Sequence, residues 1–165
     1  MKLSERLQEA LNKQIRLEIE SAYKYDGMRL YFKDLGSPGA EHWLKLQAHE
    51  ELEHAEDFTD IILELDGELA PLGALEEQPV KYESFLDVFE QGLEHEKLIS
   101  RSILDILEIA IEEKNYAAEN FLRTYVDEQV EEEDTFRGVI DLIKLADKDK
   151  AALFKVDSIL AKRDH

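Results

Sequence analysis

Residues 44–65 read Leu44-Lys45-Leu46-Gln47-Ala48-His49-Glu50-Glu51-Leu52-Glu53-His54-Ala55-Glu56-Asp57-Phe58-Thr59-Asp60-Ile61-Ile62-Leu63-Glu64-Leu65. At alternating steps of three and four, a single track runs through Leu44, Gln47, Glu51, His54, Phe58, Ile61 and Leu65. That period keeps one face of an amphipathic helix against a core. The middle of the track is wrong for a plain core. Glu51 and His54 stand where a helical bundle places Leu or Ile, and Glu51-x-x-His54 sets a carboxylate and an imidazole about one turn apart on one face.

Three further segments carry the same anomaly. Their tracks run Leu7, Leu11, Ile15, Glu18, Ala22, Tyr25, Phe32; then Phe85, Phe89, Gly92, Glu96, Ile99, Ile103, Ile106, Ala110; then Ala118, Leu122, Tyr125, Gln129, Glu132, Phe136, Val139, Ile143. Each is interrupted midway by an ionisable residue. Burying one unpaired carboxylate is costly enough that it takes up a proton instead, and a cluster of four adds mutual repulsion. A bound cation removes the objection. Carboxylate oxygens suit hard divalent ions, and one added imidazole moves the preference towards iron, manganese or zinc.

A lone Glu-x-x-His on an acidic helix is more often solvated surface than a site. Four coincident interruptions, at compatible heights in an antiparallel bundle, point instead to a metal centre. Such a pair, joined by single Glu residues from neighbouring helices, is the donor pattern of di-iron carboxylate bundles. Glu18 and Glu96 supply the single carboxylates. The fourth track offers Glu128, Gln129, Glu131 and Glu132, among which spacing alone leaves the choice open. Tyr25 lies two turns beyond Glu18, either as an electron or hydrogen-bond donor beside the metals or as a core tyrosine with a satisfied hydroxyl. Glu50, with Glu128 and Glu131, belongs either to an outer site or to a solvated face. Gly92 either permits a close approach or makes room for a bulky neighbour, at a cost of roughly 1 kcal/mol of helix stability against Ala. His42, His49 and His95 fall off the tracks and read as surface residues.

The turn signals divide the chain. One helix is expected from about Ser4 to Leu35, stopped by Gly36-Ser37-Pro38-Gly39. A second, with Ser37 as N-cap and Pro38 near its first position, runs to about Leu65. A third starts behind Ser84, with Asp87 completing a capping-box variant, and reaches about Glu113. A fourth follows Asn115 to about Ala146, and a short fifth covers about Lys150 to Lys162. Short connections make the first and last pairs of long helices antiparallel hairpins. The segment Asp66 to Glu83 is longer. Some 18 residues of extended chain reach about 60 Å, and a helix of ~26 residues is ~39 Å long, so the second and third helices can run parallel through one long crossover.

The totals narrow the function classes. With 165 residues the chain is expected to form one domain, 1–165. It has no Cys, which removes disulfides, thiolate zinc sites, iron–sulfur clusters and cysteine nucleophiles. The start Met1-Lys2-Leu3-Ser4-Glu5-Arg6 lacks the apolar stretch of a signal peptide, and no apolar run approaches membrane-spanning length, so a cytoplasmic location is expected. A formal charge of −19 repels nucleic acid and anionic membrane, excluding both as partners, and gathers cations.

On the residues Leu17-Glu18-Ile19 with Tyr25, Glu50-Glu51-Leu52-Glu53-His54-Ala55, His95-Glu96-Lys97-Leu98 and Tyr125-Val126-Asp127-Glu128-Gln129-Val130-Glu131-Glu132-Glu133, the chain resembles the non-haem ferritins of bacteria and archaea. The resemblance covers nearly the whole sequence and implies an all-α, ferritin-like four-helix bundle with a short fifth helix. It implies that Glu18 and His54 bind one iron, that Glu51 bridges, and that Glu96, with Glu132, holds a second iron. Gln129 would lie beside the second iron and the oxygen, and Tyr25 beside the pair. Glu50, Glu128, Glu131 and Glu132 would form a third iron site. The implied activity is oxidation of Fe(II) by O2 or H2O2 at a di-iron ferroxidase centre. The implied partner is the chain itself, in a hollow shell of about 24 subunits that stores ferric oxide, with the fifth helix near the fourfold axes. Related families part at particular residues. Bacterioferritin, rubrerythrin and the ribonucleotide reductase small subunit carry a second Glu-x-x-His, whereas Glu128 is followed three residues later by Glu131. Leu52 stands where bacterioferritin has its haem-ligating Met, so no haem is expected. Two rivals are a di-iron oxidase acting on an organic substrate, which needs an apolar pocket beside the metals, and a metal-free helical scaffold.

Overall fold

Four of the five helices begin at a side chain that caps them. In the computed structural model, which describes residues 2–165, these helices are α1 (Glu5–Leu35), α2 (Pro38–Glu64), α3 (Phe85–Glu112), α4 (Tyr116–Ala146) and α5 (Lys150–Leu160). Ser4, Ser84, Asn115 and Asp149 each accept a hydrogen bond from the backbone N–H three residues on, satisfying donors that the first helical turn leaves free. Asp87 returns a bond by accepting from the Glu83 amide at 3.1 Å, one residue earlier than in the usual capping box.

The start of α2 differs from expectation. Ser37 makes no side-chain cap. Its hydroxyl donates to Asp157 of α5, and that same carboxylate accepts from the amides of Gly39 at 3.0 Å and Ala40 at 2.8 Å. The cap is thus supplied from another helix, which no local pattern announces. A Cβ on Gly39 would lie 1.8 Å from the Asp157 carbonyl oxygen, so the docking of α5 requires glycine there.

Contacts along the helices set their directions. Leu3 bonds to Leu65, Ser4 to Glu113, Gln14 to Ser102, Gln47 to Glu132 and Asp57 to Tyr125. Helix α1 is therefore antiparallel to α2 and α3, α2 is antiparallel to α4, and α2 and α3 run parallel. The long crossover climbs the outside of α1. Asn12 holds the Glu68 carbonyl and the Ala70 amide, Arg16 donates to the Ala74 carbonyl, and Tyr31 meets Tyr82 edge-on. Among the described residues no helix is long and apolar enough to cross a membrane.

Two apolar clusters divide the bundle. One gathers Met28, Phe32, Trp43, Leu44, Phe89 and Phe136; the other gathers Leu7, Leu11, Phe58, Ile62, Ile103 and Leu122. On α2 the inward residue is Ile62, and Ile61 lies partly exposed. Gly92 answers its alternatives in favour of the bulky neighbour: a Cβ there would lie 2.3 Å from the Phe136 ring. Gly92→Ala gains helix propensity but forces that buried ring to move, so we expect the metal-free protein to lose ~1–3 kcal/mol, read as a lower Tm in thermal unfolding. An unchanged Tm would show that the ring yields freely.

Candidate metal centre

Between the two apolar clusters lies a polar layer, supplied at mid-height by all four long helices. Glu18 from α1, Gln47, Glu51 and His54 from α2, Glu96 from α3, and Gln129 and Glu132 from α4 are all buried. Each sits on the inward track of its helix, so the periodicity that buries Leu and Phe above and below buries these as well. Glu51 is 1% exposed and touches both halves of the layer. Ligand atoms of Glu18, Glu51 and His54 lie within 4.8 Å of one another, and so do those of Glu51, Glu96 and Glu132. His54 Nδ1 is 3.3 Å from Glu51 Oε2 and 3.9 Å from Glu18 Oε2. A third group joins Glu50, His54, Glu128 and Glu132. It opens on a cavity of 290 Å³ at the bundle surface. Glu131 lines that cavity from its exposed rim and belongs to none of the three groups found among the described residues.

The ferritin-like domain family matches residues 8–146. The chain belongs to the ferritin family. The bacterial non-haem ferritin of Bacteroides fragilis is 39% identical over 161 residues, covering 98% of this chain and 99% of that one. The bacterial non-haem ferritin of Campylobacter jejuni is 35% identical, covering 96% and 94%. Among solved structures, the open-pore ferritin of the hyperthermophilic archaeon Archaeoglobus fulgidus superposes with a TM-score of 0.96 at 40% identity, covering 99% of this chain and 100% of that one. The five-helix architecture expected from the sequence is therefore that of an iron-storage family.

The electrostatics of this ferritin chain express the crowding of its acids. Burial, with the neighbouring Glu51 charge, raises the Glu18 carboxyl well above its usual range. Burial and the charge of Glu96 do the same to Glu51. Glu96 is raised by burial, against the lowering effect of bonds from Tyr25 and Gln129. Glu132 is pushed up to about 8, first by burial and then by Glu96. Metal-free, the layer therefore retains protons. Glu18 Oε2 is buried without any hydrogen-bond partner, although its other oxygen accepts from Gln14 at 2.8 Å. A buried carboxylate oxygen with a vacant lone pair, beside an imidazole and a second carboxylate, fits a divalent metal ion.

Tyr25 is completely buried and its hydroxyl donates to Glu96, so it is bonded directly to a candidate ligand. Gln129 Nε2 donates to Glu96 Oε2 at 3.1 Å and to Ser100 Oγ at 3.2 Å, which makes the amide a support for the carboxylate. His95 corrects the surface assignment. It is half-buried, its Nε2 lies 2.6 Å from Ser21 Oγ, and its ring meets Tyr25 edge-on. The small Ser21 leaves room for that ring on the α1 flank, and burial lowers the imidazole to about 4. His42 is half-covered, with Nε2 2.7 Å from the Arg163 carbonyl, and His49 is exposed.

Two amides were missed as members of the ferritin site. Gln47 donates to Glu132 at 2.8 Å and Glu51 at 3.2 Å, and Gln14 donates to Glu18 while accepting from Ser102. A signal existed: each precedes a core carboxylate by four residues, the separation at which helical side chains meet. Arg163 and the Tyr125–Asp57 bond at 2.6 Å carried no such signal.

Proposed function

We propose that this ferritin chain binds two Fe(II) ions in the buried layer, oxidises them, and stores the product as ferric oxide inside a hollow shell of about 24 subunits. The observation that carries the reading is Glu51, whose carboxyl lies in both buried donor triads. One iron takes Glu18, His54 and Glu51. The other takes Glu51, Glu96 and Glu132. Two metals around one bridging carboxylate leave coordination positions open to an oxidant.

The balance is two electrons per pair of ions. Each Fe(II) gives one; O2 takes the two with two protons to give H2O2, or H2O2 takes them with two protons to give two waters. The protein binds and orients. Gln14, Gln47 and Gln129 hold the Glu18, Glu51, Glu132 and Glu96 carboxylates through N–H donors, so the ligands keep their positions between turnovers. Tyr25 fixes Glu96 and stands ready as a hydrogen-bond or electron donor next to the second iron. The ligands must lose protons to bind metal, so iron uptake releases protons and weakens in acid. Glu50, Glu128 and Glu132, with Glu131 on the rim, provide the third iron site and the route outward. The cavity at this end is lined by these acids, which suits a cation path better than the apolar pocket an organic substrate needs.

The test combines size and chemistry on one sample. Aerobic Fe(II) addition should give a fast oxidation phase of two ions per subunit. The oxidised iron should elute with a large oligomer on size exclusion. A small oligomer that retains no iron would overturn the storage reading, and an oxygenated organic product would favour the oxidase.

A further inference from the structure

A side chain two residues from the chain end is ordinarily solvated. Arg163 is not: its side chain is 13% exposed and folded back into the outer acidic cavity. Its Nη2 donates to Glu50 Oε2 at 2.9 Å, and its Nη1 donates to Gln47 Oε1 at 2.9 Å and to the Trp43 carbonyl at 3.2 Å. The guanidinium carbon lies 4.4 Å over the Trp43 ring. Two further contacts hold the tail: His42 against the Arg163 carbonyl, and Arg163 Nε donating to the His165 carbonyl. All six of these contacts thus come from residues far away in sequence or from the tail itself.

Two consequences follow from the chemistry of a guanidinium. It is a donor only, so the Gln47 oxygen must face it, which leaves the Gln47 NH2 facing Glu51 and Glu132. It is also a permanent cation held among Glu50, Glu128, Glu131 and Glu132, where a metal ion would otherwise supply the positive charge. A divalent ion drawing on Glu50 competes with Arg163 for the same carboxylate.

We infer that Arg163 is a tethered counter-cation that occupies the outer site, orients Gln47 towards the inner ligands, and must be displaced when a metal ion binds between Glu50, Glu128 and Glu132. This rests on the outer-site reading given above. Arg163 is a positioning residue: the third metal ion competes with it directly, whereas the inner two meet it only through the Gln47 amide, which Glu51 and Glu132 continue to hold.

The probe is Zn(II), which is redox-inert, titrated calorimetrically into the assembled metal-free protein while Trp43, the single tryptophan, reports by fluorescence. In the wild type the third equivalent should bind weakest and change Trp43 emission as the guanidinium lifts off the ring. Arg163→Gln should tighten that equivalent roughly tenfold, as expected for removing one partly buried competing charge, with little change in the first two and no third-step emission change. Arg163→Lys, which keeps the charge but not the fork, should fall between and carries the test if the Gln variant does not assemble. A third equivalent present in the wild type, abolished by Glu50→Gln, yet no tighter in either Arg163 variant, would overturn the inference while leaving the outer site standing. If neither wild type nor variants bind a third ion, the outer-site reading fails and this inference falls with it.

Discussion

Glu51→Ala should slow the fast phase of Fe(II) oxidation by ~100-fold or more, the scale set by losing a ligand shared between two metals. Glu51 belongs to both buried triads, so its removal leaves each prospective iron with two protein donors. His54→Ala should act similarly, since His54 is the single imidazole in the first triad and also a member of the outer group. Both variants should assemble and keep their helical content, because the apolar clusters on either side of the layer do not contain these residues. Stopped-flow absorbance gives the rate, and size exclusion with circular dichroism gives the control. Undiminished rates in both variants would remove the buried layer as the site of oxidation.

The second large effect concerns stability against pH in the metal-free protein. Glu132 has its carboxyl raised from the ordinary value of 4.5 to about 8, chiefly by burial and then by Glu96. Glu18, Glu51 and Glu96 are shifted in the same direction. A raised folded-state value means that the folded chain holds protons the unfolded chain has lost. The stabilisation is therefore fully present below the unfolded value and disappears as pH rises through the folded one. Between pH 4.5 and about 8, deprotonating Glu132 should cost on the order of 1 kcal/mol per pH unit, with Glu18, Glu51 and Glu96 acting in the same direction, so the Tm of the metal-free protein should fall across that window. Saturating Zn(II) should reverse the trend, because binding needs deprotonated ligands and stabilises the folded state by mass action. A metal-free Tm flat from pH 5 to 8 would show that the layer ionises freely through hydration.

The centre was legible where helical periodicity alone decides the matter. Glu18, Glu51, His54, Glu96, Gln129 and Glu132 lie on the inward tracks of their helices, and a track that buries Leu11 or Phe58 buries its polar members too. The helix ends were readable for the same reason: Ser4, Ser84 and Asn115 cap within their own first turn. Gln14 and Gln47 were equally local, four residues ahead of their carboxylates, but their role depends on an acid already being placed in the core.

What the sequence by itself determined is which face each helix turns inward, Ile61 for Ile62 and the off-track His95 excepted, because that face depends on a period of 3.6 residues within the helix. Tertiary structure alone decided what meets across the bundle. It set Asp157 at the start of α2, Phe136 against Gly92, His95 beneath Ser21, and Arg163 over Trp43. Each pairing joins segments tens of residues apart, whose approach is fixed by how whole helices dock rather than by any spacing along the chain. The same distinction separates the inner site from the outer one: Glu51 is placed by its own helix, whereas Glu50 acquires its cation only when the far end of the chain folds back.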